Sequence, residues 1–298
     1  MAERVGMVGL GFMGQAMSSN LLKAGFEIQG FDIDGGRVEE FREQGGIPVS
    51  SPEAAARGVS WLLTSLPTSE VVREAVLGPE GIAEGAVEGL ILADTTTARP
   101  EDSAALAAEC ATRGIRFLDA SVSGTSAMAW EKDLLLVAGG DEAAFEAARP
   151  YFAGFTKAAY RLGPSGSGAR AKLIINLVLV CNRLALAEGL VLGMKAEMNL
   201  DTLLTVLKEG AAGSKVMDQK GEKMIRADYT PQSRLTTSIK DVGLMLEQGK
   251  RLGTPMFLTS VYEQIVKAGL AQGFHDLDPA CVIEVLRAMS GLPQRVEG

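Results

Sequence analysis

Three glycines in the opening stretch VGMVGLGFMG are spaced to hold a pair of phosphates. Gly9 makes a tight turn after the apolar run from Val5 to Leu10, Gly11 lets backbone approach a pyrophosphate, and Gly14 lets the next helix pack closely on the strand. The phosphates then lie at the positive end of a helix over Phe12 to Lys23, where the first backbone amides have no helical partners. GLGFMG, comprising Gly9, Leu10, Gly11, Phe12, Met13 and Gly14, is therefore a candidate dinucleotide cradle. Asp32 closes the next apolar run, FEIQGFD, 23 residues past Gly9. That is close to the roughly 20-residue offset at which a carboxylate meets the ribose hydroxyls. A carboxylate there favours NAD; the nearest cation is Arg37, and NADP stays open as the second choice. The competing reading is a plain glycine turn with a strand-end Asp that caps Gly36 or a helix.

A second set of polar groups lies near the middle of the chain. On a helix advancing 100° per residue from Lys172, Asn176 falls at about +40° and Arg183 at about +20°. Most neighbouring positions are apolar, so the three form a narrow polar seam on a core helix. One reading has Lys172 snorkelling at the helix start with Asn176 bonded to a backbone carbonyl. The other places the seam at a reacting carbonyl, where hydride transfer leaves an alkoxide that needs a positioned acid. The single histidine, His275, lies in the polar loop GFHDLDP and reads as solvated or capping. Lysine is the remaining candidate, because burial beside a carbonyl brings an ammonium towards neutrality. Ser123 and Gly124 in DASVSG offer a hydroxyl and close amides for an anionic group, or else make a simple turn. Lys240 and Asp241 in SIKDVGLML read by periodicity as a solvated ion pair.

These groups need a scaffold, and the alternation of segments supplies one. Up to about Leu162 short apolar runs (WLLTSLP, LILADTTT, IRFLDAS, LLLVAGG) alternate with Ala- and Glu-rich helical stretches, the pattern of a doubly wound parallel sheet. Ligands of such sheets bind at the carboxyl ends of the strands, where Leu66 to Thr68, Asp94 to Thr97 and Asp119 to Thr125 fall. GPSGSG, Gly163 to Gly168, is the clearest linker. Helices are expected at about 169–195, 200–208, 214–226, 235–252, 258–271 and 279–289. The fold class is thus α/β: an N-terminal Rossmann-type sheet domain over 1–163 and an all-α domain over 164–298, joined by a long helix.

Composition narrows the function classes. With 29 basic and 37 acidic residues the 298-residue chain carries a net charge of −8 and no basic run, so nucleic acid is not an expected partner. Cys110, Cys181 and Cys281 have no metal or redox spacing, so no metal site is expected and reduced thiols in the cytoplasm are. No export signal is visible. The apolar stretch from Leu173 to Met194 is interrupted by Asn176, Asn182, Arg183 and Glu188, and charges at a bilayer centre cost about 3 kcal/mol each, so a buried helix rather than a membrane span is expected.

Four blocks in order, GLGFMGQAMSSNLLKAG, DASVSG, GSGARAKLIIN and IKD, resemble the β-hydroxyacid dehydrogenase family over nearly the whole chain. The resemblance implies NAD(P)-dependent interconversion of a small 3-hydroxy acid and its semialdehyde, in a homodimer or homotetramer. It implies that Lys172 is the catalytic lysine, that Asn176 helps hold the substrate, and that Ser123 and Gly124, with Thr125 beside them, meet its carboxylate. Lys240 would reach the nicotinamide edge, oriented by Asp241, and Leu66, Pro67 and Thr97 match positions lining the cofactor. The chain departs from the family at Ser121 (Pro), Thr125 (Gly), Met128 (Gly), Lys132-Asp133-Leu134 (Gly-Thr-Leu), Ile175 (Asn) and Ser233 (Phe). Trp130 adds bulk nearby. Lys215 stands where the family often has Trp, either as a solvated helix-start lysine or facing a second anionic or polar group of the substrate. Two other functions fit the same scaffold: an imine reductase, against which Lys172 counts, and a nucleotide-sensing binding protein without turnover.

Overall fold

The computed structural model describes residues 2–296. Eight strands form one sheet in the order β3-β2-β1-β4-β5-β6-β7-β8. They are β1 (Arg4–Val8), β2 (Glu27–Phe31), β3 (Ile47–Pro48), β4 (Trp61–Thr64), β5 (Ile91–Asp94), β6 (Arg116–Ser123), β7 (Leu135–Gly140) and β8 (Ala158–Gly163). The first six positions follow the order of a dinucleotide-binding sheet, and the strand order reverses between β1 and β4. The helices of this unit are α1 (Phe12–Lys23), α2 (Gly35–Glu43), α3 (Pro52–Ala56), α4 (Ser69–Leu77), α5 (Ile82–Gly85), α6 (Pro100–Ala111), α7 (Ser126–Trp130) and α8 (Glu142–Phe155).

Alternation along each strand sorts its side chains between two cores. Met7, Trp61 and Leu63 join Met17 and Leu21 of α1 and Phe145 and Phe152 of α8 on one face. Val8, Leu62 and Leu92 join Val72 and Val76 of α4 and Leu106 of α6 on the other. With both faces covered, the central strands are mainly apolar, with Thr64 and Asp94 buried at the ends of β4 and β5.

The sheet departs from the all-parallel expectation at one place. β7 runs antiparallel to β6, with Ser123 opposite Leu135. The link between them, residues 124–134, is shorter than the dozen or so residues a parallel crossover needs, and it holds only the one-turn α7. Within that link Lys132 adopts a left-handed backbone, φ +57°. Glycine adopts this conformation freely, whereas a side chain there costs about 1–2 kcal/mol.

The long helix α9 spans Ser167–Lys195, starting two residues before its expected position. Its first turn is tied to β6: the amides of Gly166 and Ala169 each donate to the Asp119 carboxylate at 2.8 Å. A Cβ on Gly168 would lie 2.1 Å from the carbonyl oxygen of Asp119, so only glycine lets the helix meet the strand this closely. Burial pushes the Asp119 carboxyl up, while the amides of Ala169 and Gly166 pull it down. This anchorage explains why the compact units divide between Lys172 and Leu173 rather than at the expected 163/164 boundary. Strands end at Gly163, but the first helical residues still pack with the sheet unit.

The second unit contains the rest of α9 with α10 (Leu200–Glu209), α11 (Lys215–Arg226), α12 (Leu235–Arg251), α13 (Phe257–Ala271) and α14 (Val282–Met289). A 3-10 turn, Pro279–Cys281, leads into α14. By length and composition α9 could cross a membrane. Leu184, Leu186, Ala187, Leu190 and Val191 of this helix instead lie in the core of the helical unit, with Tyr262, Val266 and Ile283. Its buried Arg183 donates to Tyr262 Oη at 2.8 Å. Further buried charges are paired within the unit: Lys220 with Asp278 at 2.8 Å, and Glu284 with Arg295 at 2.9 Å.

Two stability measurements check this account. Asp119→Ala leaves two buried amides unpaired and is expected to lower unfolding free energy by about 3 kcal/mol in urea titration. Lys132→Gly is expected to raise it by about 0.5–1 kcal/mol, the relief of left-handed strain exceeding the entropy cost of glycine.

Candidate active site

The glycine cradle forms as its spacing requires. Gly9 turns the chain at φ +95°, and a Cβ there would stand 2.2 Å from the Ser65 carbonyl oxygen. A Cβ on Gly14 would stand 2.0 Å from the Gly9 carbonyl oxygen, so α1 packs directly against the turn. On Gly11 the same atom would meet nothing nearer than the Arg37 guanidinium at 3.8 Å. Gly11 is the N-cap of α1, no side chain caps that end, and the first turn holds no acidic residue. Open backbone amides at a helix start suit a pyrophosphate, so the residues present fit a dinucleotide. Leu10 is fully buried and Phe12 is exposed, which leaves the backbone rather than these side chains to meet phosphate.

Asp32 is fixed beside this turn. Its Oδ2 accepts from the Leu10 amide at 2.6 Å and its Oδ1 from the Asp34 amide at 2.9 Å. The residue that caps α2 is Asp34, which accepts from the amides of Gly36 and Arg37. Asp32 thus does not cap Gly36 or α2; it braces the turn at Leu10 and the start of the next loop. The half-exposed Arg37 guanidinium lies 3.7 Å from Asp32 Oδ2 and 3.6 Å from Asp34 Oδ2. Arg37, the nearest cation along the chain, is brought back beside Asp32 by the turn into α2.

The loops after β4 and β5 are tied to one another. Thr64 Oγ1 and the Thr96 amide both donate to Asp94 Oδ1, at 2.8 and 3.1 Å, and the Leu66 amide donates to Thr96 Oγ1 at 3.1 Å. Leu66 and Thr97 are half-buried and Pro67 is exposed, so this network holds the backbone on which all three stand. Burial pushes the Asp94 carboxyl up, against the hydrogen bonds from Thr96 and Thr64.

Ser123 is half-buried at the end of β6, and Gly124 follows it exposed. Thr125 caps α7, its hydroxyl accepting from the Met128 amide at 3.3 Å. Met128 packs against the sheet core, while Trp130 is exposed. Lys172 is half-buried on the second turn of α9, and Asn176 follows one turn later, buried.

In the helical unit the Asn176 Nδ2 donates to Asp241 Oδ2 at 3.1 Å. Asp241 Oδ1 lies 3.3 Å from Lys240 Nζ. Residues 65 apart in sequence are thereby joined, and Lys240–Asp241 is not the plain solvated pair that periodicity suggested. Lys215 is the exposed first residue of α11. His275 is exposed in its loop. Among the described residues no cluster of three or more His, Cys, Asp or Glu is arranged for a metal.

Sequence reasoning missed Asp119, which holds the start of α9, and the Asn176–Asp241 bond. An acid ending an apolar run in IRFLDAS, followed by a glycine-rich helix start, was the available signal for the first. Nothing in the spacing signalled the second.

Comparison with known proteins agrees with this construction. Residues 4–163 match the family described as the NAD binding domain of 6-phosphogluconate dehydrogenase. Residues 166–286 match the one described as NAD-binding of NADP-dependent 3-hydroxyisobutyrate dehydrogenase. The chain is 32% identical to 2-(hydroxymethyl)glutarate dehydrogenase of Eubacterium barkeri, over 97% of this chain and 96% of that one. It is also 32% identical to glyoxylate/succinic semialdehyde reductase 1 of Arabidopsis thaliana, over 95% and 98%. The solved 3-hydroxyisobutyrate dehydrogenase of Mycobacterium tuberculosis with L-serine superposes with a TM-score of 0.87 at 28% identity, over 96% of this chain and all of that one. An imine reductase of Streptomyces aurantiacus shares the fold at a TM-score of 0.65 and 20% identity. By its two matched regions, its full-length relatives and its order of motifs, the chain belongs to the β-hydroxyacid dehydrogenase family.

Proposed function

We propose that Lys172 is the general acid and base of an NAD(P)-dependent oxidoreductase that interconverts a small 3-hydroxy acid and its semialdehyde. The observation that carries this reading is the placement of Lys172 and Asn176 on successive turns of a helix whose start is pinned by Asp119. A nicotinamide cofactor, when bound, supplies or accepts the hydride at the substrate carbon. The chain's own task is to hold the acid and move one proton. In reduction, Lys172 gives a proton from Nζ to the oxygen of the former carbonyl; in oxidation it takes that proton back from the hydroxyl. Ser123 and the backbone after it bind the substrate carboxylate, with Thr125 at the same loop. Fixing this carboxylate orients the reacting carbon, and alignment of that kind supplies a large share of the rate.

The amides after Gly11 would hold the cofactor's pyrophosphate and Asp32 its ribose hydroxyls, while Leu66, Pro67, Thr97 and Lys240 are the further residues assigned to the cofactor. The substrate is a small acid of the class named in the relatives, and Lys215 serves those with a second anionic group. The protein works in the cytoplasm, which suits Cys110 and Cys281, whose buried thiols are pushed up to about 12 and so stay unreactive. Self-association as a dimer or tetramer is part of the same reading.

The decisive assay follows reduced-cofactor oxidation by the wild type and Lys172→Ala across methylmalonate, tartronate and succinate semialdehydes, with both cofactors. The variant is expected to lose about a thousandfold in kcat while cofactor affinity stays within about threefold. Tight cofactor binding with no wild-type turnover on any semialdehyde would favour a nucleotide-sensing protein instead.

Cofactor choice has its own test, read by fluorescence quenching. Asp32→Ala is expected to weaken NADH binding about ten- to a hundredfold, the loss of a hydrogen bond to a charged acceptor. The same change removes one of the two carboxylates beside Arg37, leaving Asp34, and is expected to strengthen NADPH binding. Equal effects on both cofactors would remove Asp32 from the ribose site.

A further inference from the structure

The link that follows Ser123 is poorly equipped to hold its own shape. Residues 124–134 carry α7, a single turn of helix, and one turn is too short to be stable alone. Its own bonds are local: the Met128 amide donates to Thr125 Oγ1 at 3.3 Å, the Ala129 amide to the Thr125 carbonyl at 3.0 Å, and the Lys132 amide to the Ala129 carbonyl at 3.2 Å. At its far end the Lys157 amide donates to the Leu134 carbonyl at 2.9 Å. At α7 it meets α1, the helix whose start forms the glycine cradle. The buried Asn20 Nδ2 of α1 donates to the Ala129 carbonyl oxygen at 2.6 Å, joining residues 109 apart in sequence. Ala129 and Leu134 also share one buried core with Met17 and Leu21 of α1.

From this geometry we infer that Asn20 is a positioning residue: it holds α7, and through α7 the loop from Ser123 to Thr125, at a fixed distance from the glycine cradle. Asparagine is a poor helix former, and Asn20 caps neither end of α1, so local structure gives no reason for it. The bond across to α7 gives one. Asn20 lies eight residues beyond Phe12, about 12 Å along the helix at about 1.5 Å per residue. One continuous helix thus sets the spacing between the pyrophosphate seat at its start and the substrate loop beside its later turns. Thr125 is the N-cap of α7 and stands two residues after Ser123, so a shift of α7 moves the loop with it. This deepens the proposed function and rests on its assignment of that loop to the substrate carboxylate.

Asn20→Ala and Asn20→Leu both remove the donor, the first without added bulk and the second without a void. Either is expected to raise KM for a semialdehyde acid about five- to twentyfold, with kcat within about threefold and NADH affinity within about twofold of wild type. Retained NADH binding shows that α1 and its cradle are folded. The preference for a semialdehyde acid over an uncharged aldehyde of equal length is expected to narrow, which a role confined to stability leaves intact. Ser123→Ala supplies the reference: an Asn20 variant acting through this loop raises KM less in the Ser123→Ala background than in the wild type. Equal increases in the two backgrounds overturn the inference, as does wild-type KM in both Asn20 variants beside a raised KM in Ser123→Ala. Wild-type KM in Ser123→Ala overturns the proposed role of the loop, and the inference with it. The hold on α7 is also read without turnover. Hydrogen exchange at the Met128 and Ala129 amides is expected to quicken at least about tenfold in the Asn20 variants, with exchange from Gly14 to Ser18 unchanged. Unaltered exchange at α7 overturns the inference even if no semialdehyde is turned over. Turnover by the wild type that Lys172→Ala lacks upholds the proposed function, whatever the Asn20 variants do.

Discussion

The contact on which the rest depends is the seat of α9 on β6. Two amides at the start of the helix close on the Asp119 carboxylate at 2.8 Å each, and Gly168 lets the backbones approach without a side chain between them. A helix N-terminus has unsatisfied donors and a positive field, so a buried carboxylate is its natural partner. Burial pushes that carboxyl up, and the two amides offset part of the rise. Lys172 stands one turn beyond this point, so its height above the sheet is set by a charge-assisted junction rather than by loop packing.

The same economy recurs at the cofactor end. Asp32 uses one oxygen to hold the turn at Leu10 and the other to hold the start of the next loop at Asp34. Asp94 ties the ends of β4 and β5 through Thr64 and Thr96, and Thr96 in turn holds the Leu66 amide. In each case a strand-end acid accepts from backbone and so fixes a loop. Loops at the carboxyl ends of parallel strands need such restraints, because no strand pairing holds them there.

In the helical unit several buried charges meet partners of opposite sign. Lys220 meets Asp278 and Gln232, and Glu284 meets Arg295 and Tyr229. Burial lowers the Lys220 ammonium and its neighbour Asp278 raises it again. Such pairs add little net stability over an apolar core, but a missing partner is costly, so they select one arrangement of α11, the 3-10 turn and α14. Asn176 and Asp241 are a further polar pair joined across two helices.

Local periodicity and turn chemistry were legible along the chain. Glycine spacing placed the cradle, alternation separated the sheet from the helices, and the helix ends fell within about two residues of their expected positions, because capping and hydrophobic repeats act over a few residues. Motif order added the family and pointed to Lys172, Asn176 and Ser123. Only the tertiary structure decided which polar groups meet. It turned β7 antiparallel because the link before it was too short to cross over. It moved the unit boundary from Gly163 to Lys172 because the first turn of α9 packs on β6. It brought Arg37 to Asp32 and Asp241 to Asn176. Those contacts join residues on different elements, and no pattern along one element records which side chain another element will present to it.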